Sequence, residues 1–239
     1  ARRNGVTIGV VVEVSTSARR AGVRWADPGG IEKGVALANL ARELPGIEFK
    51  GVMSHQSLME YKGEEDRYEV GKQTIQICLD VKNAIEAEGI AVEMVSSGET
   101  FTIDVAATIP GVTEVEGGTY ALGGTDYDYM KDYQMANKVM CTVISTPRSG
   151  VAIGDAGLFA LSGLGADSVE GHLDITIVEM LDHQIVLKSD GEMPLKVGDK
   201  FKLIPAYQDM MINRWDQYIG IRGSVVEQVW DIPGRGCTQ

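Results

Sequence analysis

Two short segments carry the residue types that could do chemistry: Ser96-Ser97-Gly98-Glu99-Thr100-Phe101-Thr102 and Glu116-Gly117-Gly118-Thr119-Tyr120. Each follows an apolar, strand-like run, Ile90 to Val95 in the first case and Val112 to Val115 in the second. Small residues after a strand let backbone N–H groups approach a phosphate closely. Two such loops about 20 residues apart, in a chain that alternates strands and helices, suggest one phosphorylated ligand held from two sides. Taken singly, each is also an ordinary turn between strand and helix. Glu13 and Arg20 flank the end of the first strand-like run, where barrel enzymes place their ligands, or else form a surface ion pair. His55 follows the second run, with Tyr61 close behind it. Glu170-Gly171-His172 and Pro205-Ala206-Tyr207-Gln208-Asp209 offer single ligating groups, and neither is a metal motif on its own.

The elements that must position these residues are legible as patterns. Val6 to Val14 is a nearly continuous apolar run, as in a strand buried on both faces of a parallel sheet. A helix is predicted over Ile31 to Leu44, with Leu37, Leu40, Ala41 and Leu44 on one face. Pro45-Gly46 stops it before a strand at Ile47 to Ser54. A long helix follows over Glu64 to Glu88, with Ile77, Val81 and Ile85 on one face and Gly89 at its end. A third strand at Ile90 to Val95, a short helix at Phe101 to Thr108 and a fourth strand region at Val112 to Leu122 complete right-handed βαβ units. That amounts to about half of an eight-stranded barrel. From Lys138 onward short β runs dominate, at 139–146, 173–178, 184–188, 200–204 and from Tyr218 to Ile232. The predicted fold class is α/β plus β: a partial TIM-type (β/α) barrel over residues 1–133, then an antiparallel β domain over 134–239.

Bulk properties bound the partners. The chain has 239 residues and a formal charge of −12, which argues against a nucleic-acid surface and against a polybasic membrane patch. No apolar run is long enough to span a bilayer. Cys78, Cys141 and Cys237 are scattered and odd in number, as in reduced thiols of a cytoplasmic protein. Gly is plentiful at 29 residues, which suits a turn-rich enzyme scaffold.

Six segments then follow one another in a particular order: Glu13 to Val23, Gly51 to Ser57, Ser96 to Thr102, Gly118-Thr119-Tyr120, Gly154 to Ser162, and Trp230 to Gly236. This succession resembles the fold-type-III, pyridoxal-phosphate-dependent enzymes of the D-serine dehydratase and D-threonine aldolase group, which have an alanine racemase-type barrel. The resemblance implies that Gly98, Thr100, Thr102, Gly118, Thr119 and Tyr120 bind the phosphate of pyridoxal 5'-phosphate. It places Arg20 beside the cofactor ring, and makes His55 and Tyr61 candidates for ring packing or proton transfer. It also implies a small amino-acid substrate and a lyase reaction, dehydration or retro-aldol cleavage of a D- or β-hydroxy amino acid.

Departures from the family pattern shape the remaining expectations. The segment that bears the family's Schiff-base lysine is not in this sequence, so a further N-terminal barrel half, on the same or another chain, is expected to complete the site. A homodimer or hetero-oligomer follows, since a partial barrel exposes sheet edges and apolar faces. The family's divalent metal (Mn, Mg or Zn) sits on a His-x-Cys or His-x-Asp pair; here Asp209 fits and Tyr207 replaces the histidine. A neutral phenol is a poor ligand beside imidazole. Glu170-Gly171-His172 scrambles the family's Glu-His-Gly and could bring a histidine toward that site. The alternatives are a non-catalytic cofactor-binding subunit and a metal-free amino-acid racemase.

Overall fold

The structure, a computed structural model, describes residues 1–16, 21–56, 64–127 and 129–237. It divides into two compact units, Ala1–Tyr120 and Ala121–Gln239.

The first unit holds β1 (Ile8–Ser15), β2 (Val23–Arg24), α1 (Gly30–Glu43), β3 (Ile47–Ser54), α2 (Glu64–Ala87), β4 (Met94–Ser97) and α3 (Ile103–Ala106). Its sheet is wholly parallel in the order β2-β1-β3-β4. The register pairs Glu13 with Met53, Met53 with Ser96 and Ser54 with Ser97, so three strands end side by side. Val12, Val14, Phe49, Val52 and Val95 supply the sheet's share of one apolar core, and Ile75, Val81 and Ile85 supply that of α2.

Three expectations are corrected here. The buried face of α1 is Gly30, Gly34, Ala38 and Ala41, whereas Leu37, Leu40 and Leu44 are exposed. Small residues win that face because α2 comes close: a Cβ on Gly34 would lie 2.8 Å from Val81 Cγ1. The third strand starts at Met94, not Ile90, since its ladder partners are Gly51 to Ser54. Ile90 is buried all the same, which is what its apolar character reported. Residues 112–122 form no strand beyond an isolated parallel bridge between Ser96 and Glu114.

The second unit contains β5 (Val139–Arg148), β6 (Val151–Gly154), α4 (Leu158–Leu161), β7 (Ala166–Val169), β8 (Ile175–Met180), β9 (Ile185–Ser189), β10 (Lys200–Pro205), α5 (Gln208–Ile212), β11 (Gln217–Arg222) and β12 (Val225–Asp231). Six strands form one sheet in the order β7-β10-β5-β6-β9-β8, and its five pairings are all antiparallel. Val139, Cys141, Leu187, Phe201 and Leu203 centre its core. The β run from Tyr218 to Ile232 folds as a hairpin, because Gly223 takes φ 61° and turns the chain. Among the described residues, no helix is long and apolar enough to cross a membrane.

Candidate functional site

At the C-terminal ends of β3 and β4 the sheet closes on polar groups. Ser54, Gln56, Ser96, Ser97, Thr100 and Thr102 are all buried. The Ser54 and Ser97 hydroxyls lie 2.7 Å apart, and Gln56 Nε2 donates to Ser97 Oγ at 3.3 Å. Beneath them, burial pushes the Cys78 thiol up to about 11 despite a hydrogen bond with Ser54, so it stays protonated and unreactive.

Gly98 turns the chain out of β4 with φ +105°, a region open to glycine. A Cβ there would also meet Ala106 Cβ at 2.8 Å. The Glu99 N–H donates to Thr102 Oγ1 at 3.1 Å, which makes Thr102 a brace within the loop. The second loop lies against the first. The Ser97 N–H donates to the Glu114 carbonyl at 3.0 Å, Ser96 Oγ donates to Glu116 Oε1 at 2.7 Å, and the Tyr120 N–H donates to Thr100 Oγ1 at 3.3 Å.

This geometry fits an anion. Among the described residues, the N–H groups of Gly117 and Gly118 meet no acceptor. A Cβ on Gly118 would find nothing within 4 Å, so a ligand can approach its backbone. Thr119 and Tyr120 follow at the start of a short 3-10 turn, Thr119–Ala121.

His55 stands directly after β3, with its Nε2 3.7 Å from Glu99 Oε2. Thus the structure brings His55, Gly98, Thr100, Thr102, Gly118, Thr119 and Tyr120 to one end of one sheet. Arg20 and Tyr61 lie outside the described residues. Sequence reasoning named Ser96, Glu99 and Glu116 only as members of the two loops, without a role of their own, and gave none to the buried Ser54 and Gln56. The available signal was Glu99 itself, a charged residue inside a loop of small and hydroxylic ones.

Tyr207 and Asp209 belong to the second unit. Tyr207 precedes α5 and Asp209 is in its first turn, both exposed. Burial first, and Asp209 second, raise the Tyr218 phenol. Glu170 is held by Lys138 and by Lys202, which together keep its carboxyl below the usual range. Among the described residues no group of three His, Cys, Asp or Glu side chains could hold a metal ion. One exposed carboxylate beside a phenol does not fit a divalent cation.

Comparison with known proteins agrees with this layout. Residues 1–126 match the family model "Alanine racemase, N-terminal domain", and residues 136–221 match "Putative serine dehydratase domain". A 3-hydroxy-D-aspartate aldolase from Paracoccus denitrificans (strain Pd 1222) is 32% identical across 99% of this chain and 62% of its own length. A D-threonine aldolase from Arthrobacter sp is 30% identical across 98% of this chain and 63% of its own length. The chain therefore spans just under two thirds of the curated relatives it matches. Among solved structures, D-threonine aldolase from Filomicrobium marinum superposes with a TM-score of 0.91 at 23% identity, over 100% of this chain and 66% of that one. D-threo-3-hydroxyaspartate dehydratase from Delftia sp. HT23 gives 0.82 at 22% identity, over 96% and 67%. The fold is that of a partial (β/α) barrel followed by an antiparallel β unit.

Proposed function

The chain belongs to the alanine racemase N-terminal domain family, and from that premise we propose that it forms the larger part of a pyridoxal 5'-phosphate-dependent lyase. The substrate is a D- or β-hydroxy amino acid, cleaved by dehydration or by a retro-aldol reaction. The convergence of the two loops through the Tyr120 N–H and the Thr100 hydroxyl carries this reading, since it frames one anion site at the strand ends. Relatives named as aldolases and a dehydratase support it.

Residues 1–133 are the barrel portion in this proposal, and 134–239 the β domain. Thr100, Gly118 and Thr119 hold the cofactor phosphate, with Tyr120 closing the second loop and Gly98 and Thr102 shaping the first. When bound, the cofactor supplies an electron sink for a bond broken at the substrate α-carbon. His55 packs against the ring or carries the proton that this bond breaking moves. Arg20 beside the ring and Tyr61 near His55 take their roles from the family resemblance. The reactive lysine comes from a barrel half on the same or another chain, in a homodimer or hetero-oligomer.

Tyr207 and Asp209 do not form a donor set for a divalent metal. That same observation favours a second reading, racemisation at the α-carbon, which needs no activation of a β-hydroxyl. The test uses the complete protein. A near-visible absorbance band abolished by borohydride establishes the cofactor. Glycine plus acetaldehyde from D-threonine marks aldol cleavage, and 2-oxobutanoate plus ammonia marks dehydration. Formation of L-allo-threonine from D-threonine, with no cleavage product, marks inversion at the α-carbon. Absence of the band sinks the reading, and a band without any turnover leaves a non-catalytic cofactor-binding subunit.

A further inference from the structure

β4 ends in two serines that take opposite faces of the sheet, as successive strand residues do. Ser97 turns toward α2: its hydroxyl lies 2.7 Å from that of Ser54, which meets the Cys78 thiol of that helix. Ser96 takes the other face, in the row of register partners that holds Met53 and Glu13. Its buried Oγ donates to Glu116 Oε1 at 2.7 Å. The other end of the second loop is tied by the Tyr120 N–H, which donates to Thr100 Oγ1 at 3.3 Å. Between the two ties lie Gly117, Gly118 and Thr119. Among the described residues the Gly117 and Gly118 N–H groups meet no acceptor, and a Cβ on Gly118 would find nothing within 4 Å. Two successive glycines have the widest backbone freedom, so an arch made of them keeps one shape only if both of its feet are fixed. Glu116 stands at one foot, and its charge opposes any anion that the arch receives. What it contributes to binding must come through the bond it accepts, and a short hydroxyl-to-carboxylate bond is among the stronger kinds.

We propose that Glu116 is a positioning residue: by accepting the Ser96 hydroxyl it holds the Gly117-Gly118 arch against the end of β4, so that both N–H groups stand ready for the oxygens of a phosphate ester. The proposal rests on the phosphate reading of the two loops. It separates the bond from the charge. A glutamine carbonyl accepts the same hydroxyl without the charge, whereas alanine removes both. An arch fixed in advance lowers the ordering cost of binding, and only a ligand that carries a phosphate draws on it.

The experiment takes the complete protein stripped of cofactor. Affinities for pyridoxal 5'-phosphate and for unphosphorylated pyridoxal are read by tryptophan fluorescence. Glu116→Gln and Glu116→Ala have the same charge and differ in the bond. Glu116→Gln binds the phosphate ester at least as tightly as wild type, and Glu116→Ala binds it about tenfold more weakly than Glu116→Gln. Pyridoxal is bound alike by both. Ser96→Ala costs about tenfold when added to Glu116→Gln and less than about twofold when added to Glu116→Ala, where the bond is already gone. Equal affinities of the two Glu116 variants overturn the proposal, as does an equal cost of Ser96→Ala in the two backgrounds. A loss for pyridoxal as large as that for a preferred phosphate ester overturns it too. A second readout needs no ligand: the Tyr120 amide exchanges with deuterium about tenfold faster in Glu116→Ala than in Glu116→Gln, while residues 49–53 of β3 exchange alike in both. Unchanged Tyr120 exchange overturns the tie between the loops, and faster exchange in β3 as well overturns a local role. Faster Tyr120 exchange in a protein whose wild type does not distinguish the phosphate ester from pyridoxal upholds the tie and overturns the phosphate reading instead.

Discussion

Gly98 shows how little freedom the site leaves a single residue. Its φ of +105° and the 2.8 Å approach of Ala106 Cβ penalise any side chain twice, through the backbone and through packing. Gly98→Ala is expected to cost about 2–3 kcal/mol, measured by urea unfolding, and to weaken pyridoxal 5'-phosphate binding as the loop shifts. A loss within about 0.5 kcal/mol would mean the loop is not constrained as described. Tyr207 poses the opposite question, since there the residue type is what opposes the site. Tyr207→His supplies an imidazole two residues from Asp209, and metal analysis of the complete protein is expected to rise from substoichiometric Mn or Zn toward one ion per chain. Unchanged content in the variant would place the obstacle in the geometry of α5, not in the phenol.

Between elements, α2 and α3 are joined by a buried guanidinium. Arg67 donates to Asp104 Oδ1 at 2.6 Å, to the Tyr68 hydroxyl at 2.8 Å and to the Phe101 carbonyl at 3.5 Å, and its guanidinium lies over the Tyr68 ring. It thereby fastens the helix to the turn that carries Thr100 and Thr102. Burial alone would raise the Asp104 carboxyl; the Arg67 hydrogen bond and charge, then Tyr68 and the Val105 N–H, outweigh it and hold it below its ordinary value. A lowered carboxyl contributes stability above its unfolded pKa and loses it as pH falls through the folded one. Asp104 is 43% exposed, so solvent screening reduces the ionic share. Arg67→Met is expected to cost about 2 kcal/mol near neutrality, with the gap to wild type narrowing below about pH 4. A gap that is constant with pH would show that packing, not charge, fastens the helix.

At this same scale the limits of sequence reading are visible. Helices and strands with strong periodicity, such as α2 and β3, were legible because their burial matches their pattern. The α1 face was not, since three leucines outweigh Gly34, Ala38 and Ala41 in any hydropathy pattern while close helix approach selects the small residues. The two loops at the strand ends were legible as tight turns through their glycine and hydroxyl content. Glu99 was not, because only the return of β3 beside β4 puts His55 against it.

For the whole molecule, one side of the parallel sheet is short of strand partners among the described residues. β1 pairs with β3 along its length, but with β2 only through Val14 and Ser15. Beside that edge Val11, Leu37, Leu40 and Leu44 line an apolar groove of about 530 Å³ together with Val10, Val12 and Ile47. Parallel strands are normally covered on both faces, and an unpaired edge bordered by leucines invites association. The curated relatives are longer than this chain, which spans 62% of one and 63% of another. If the remaining part of the barrel seats on this edge, those backbone amides of residues 8–13 that point away from β3 gain partners and the leucine face becomes dry. Hydrogen–deuterium exchange of the complete protein is then expected to show those amides protected to the same degree as residues 49–53 of β3. The 239 residues expressed alone should exchange them faster, bind a hydrophobic dye and self-associate, and Leu40→Glu should relieve that association. Fast exchange at β1 in the complete protein would mean the edge stays open, and any further part of the barrel would have to reach the two strand-end loops from elsewhere.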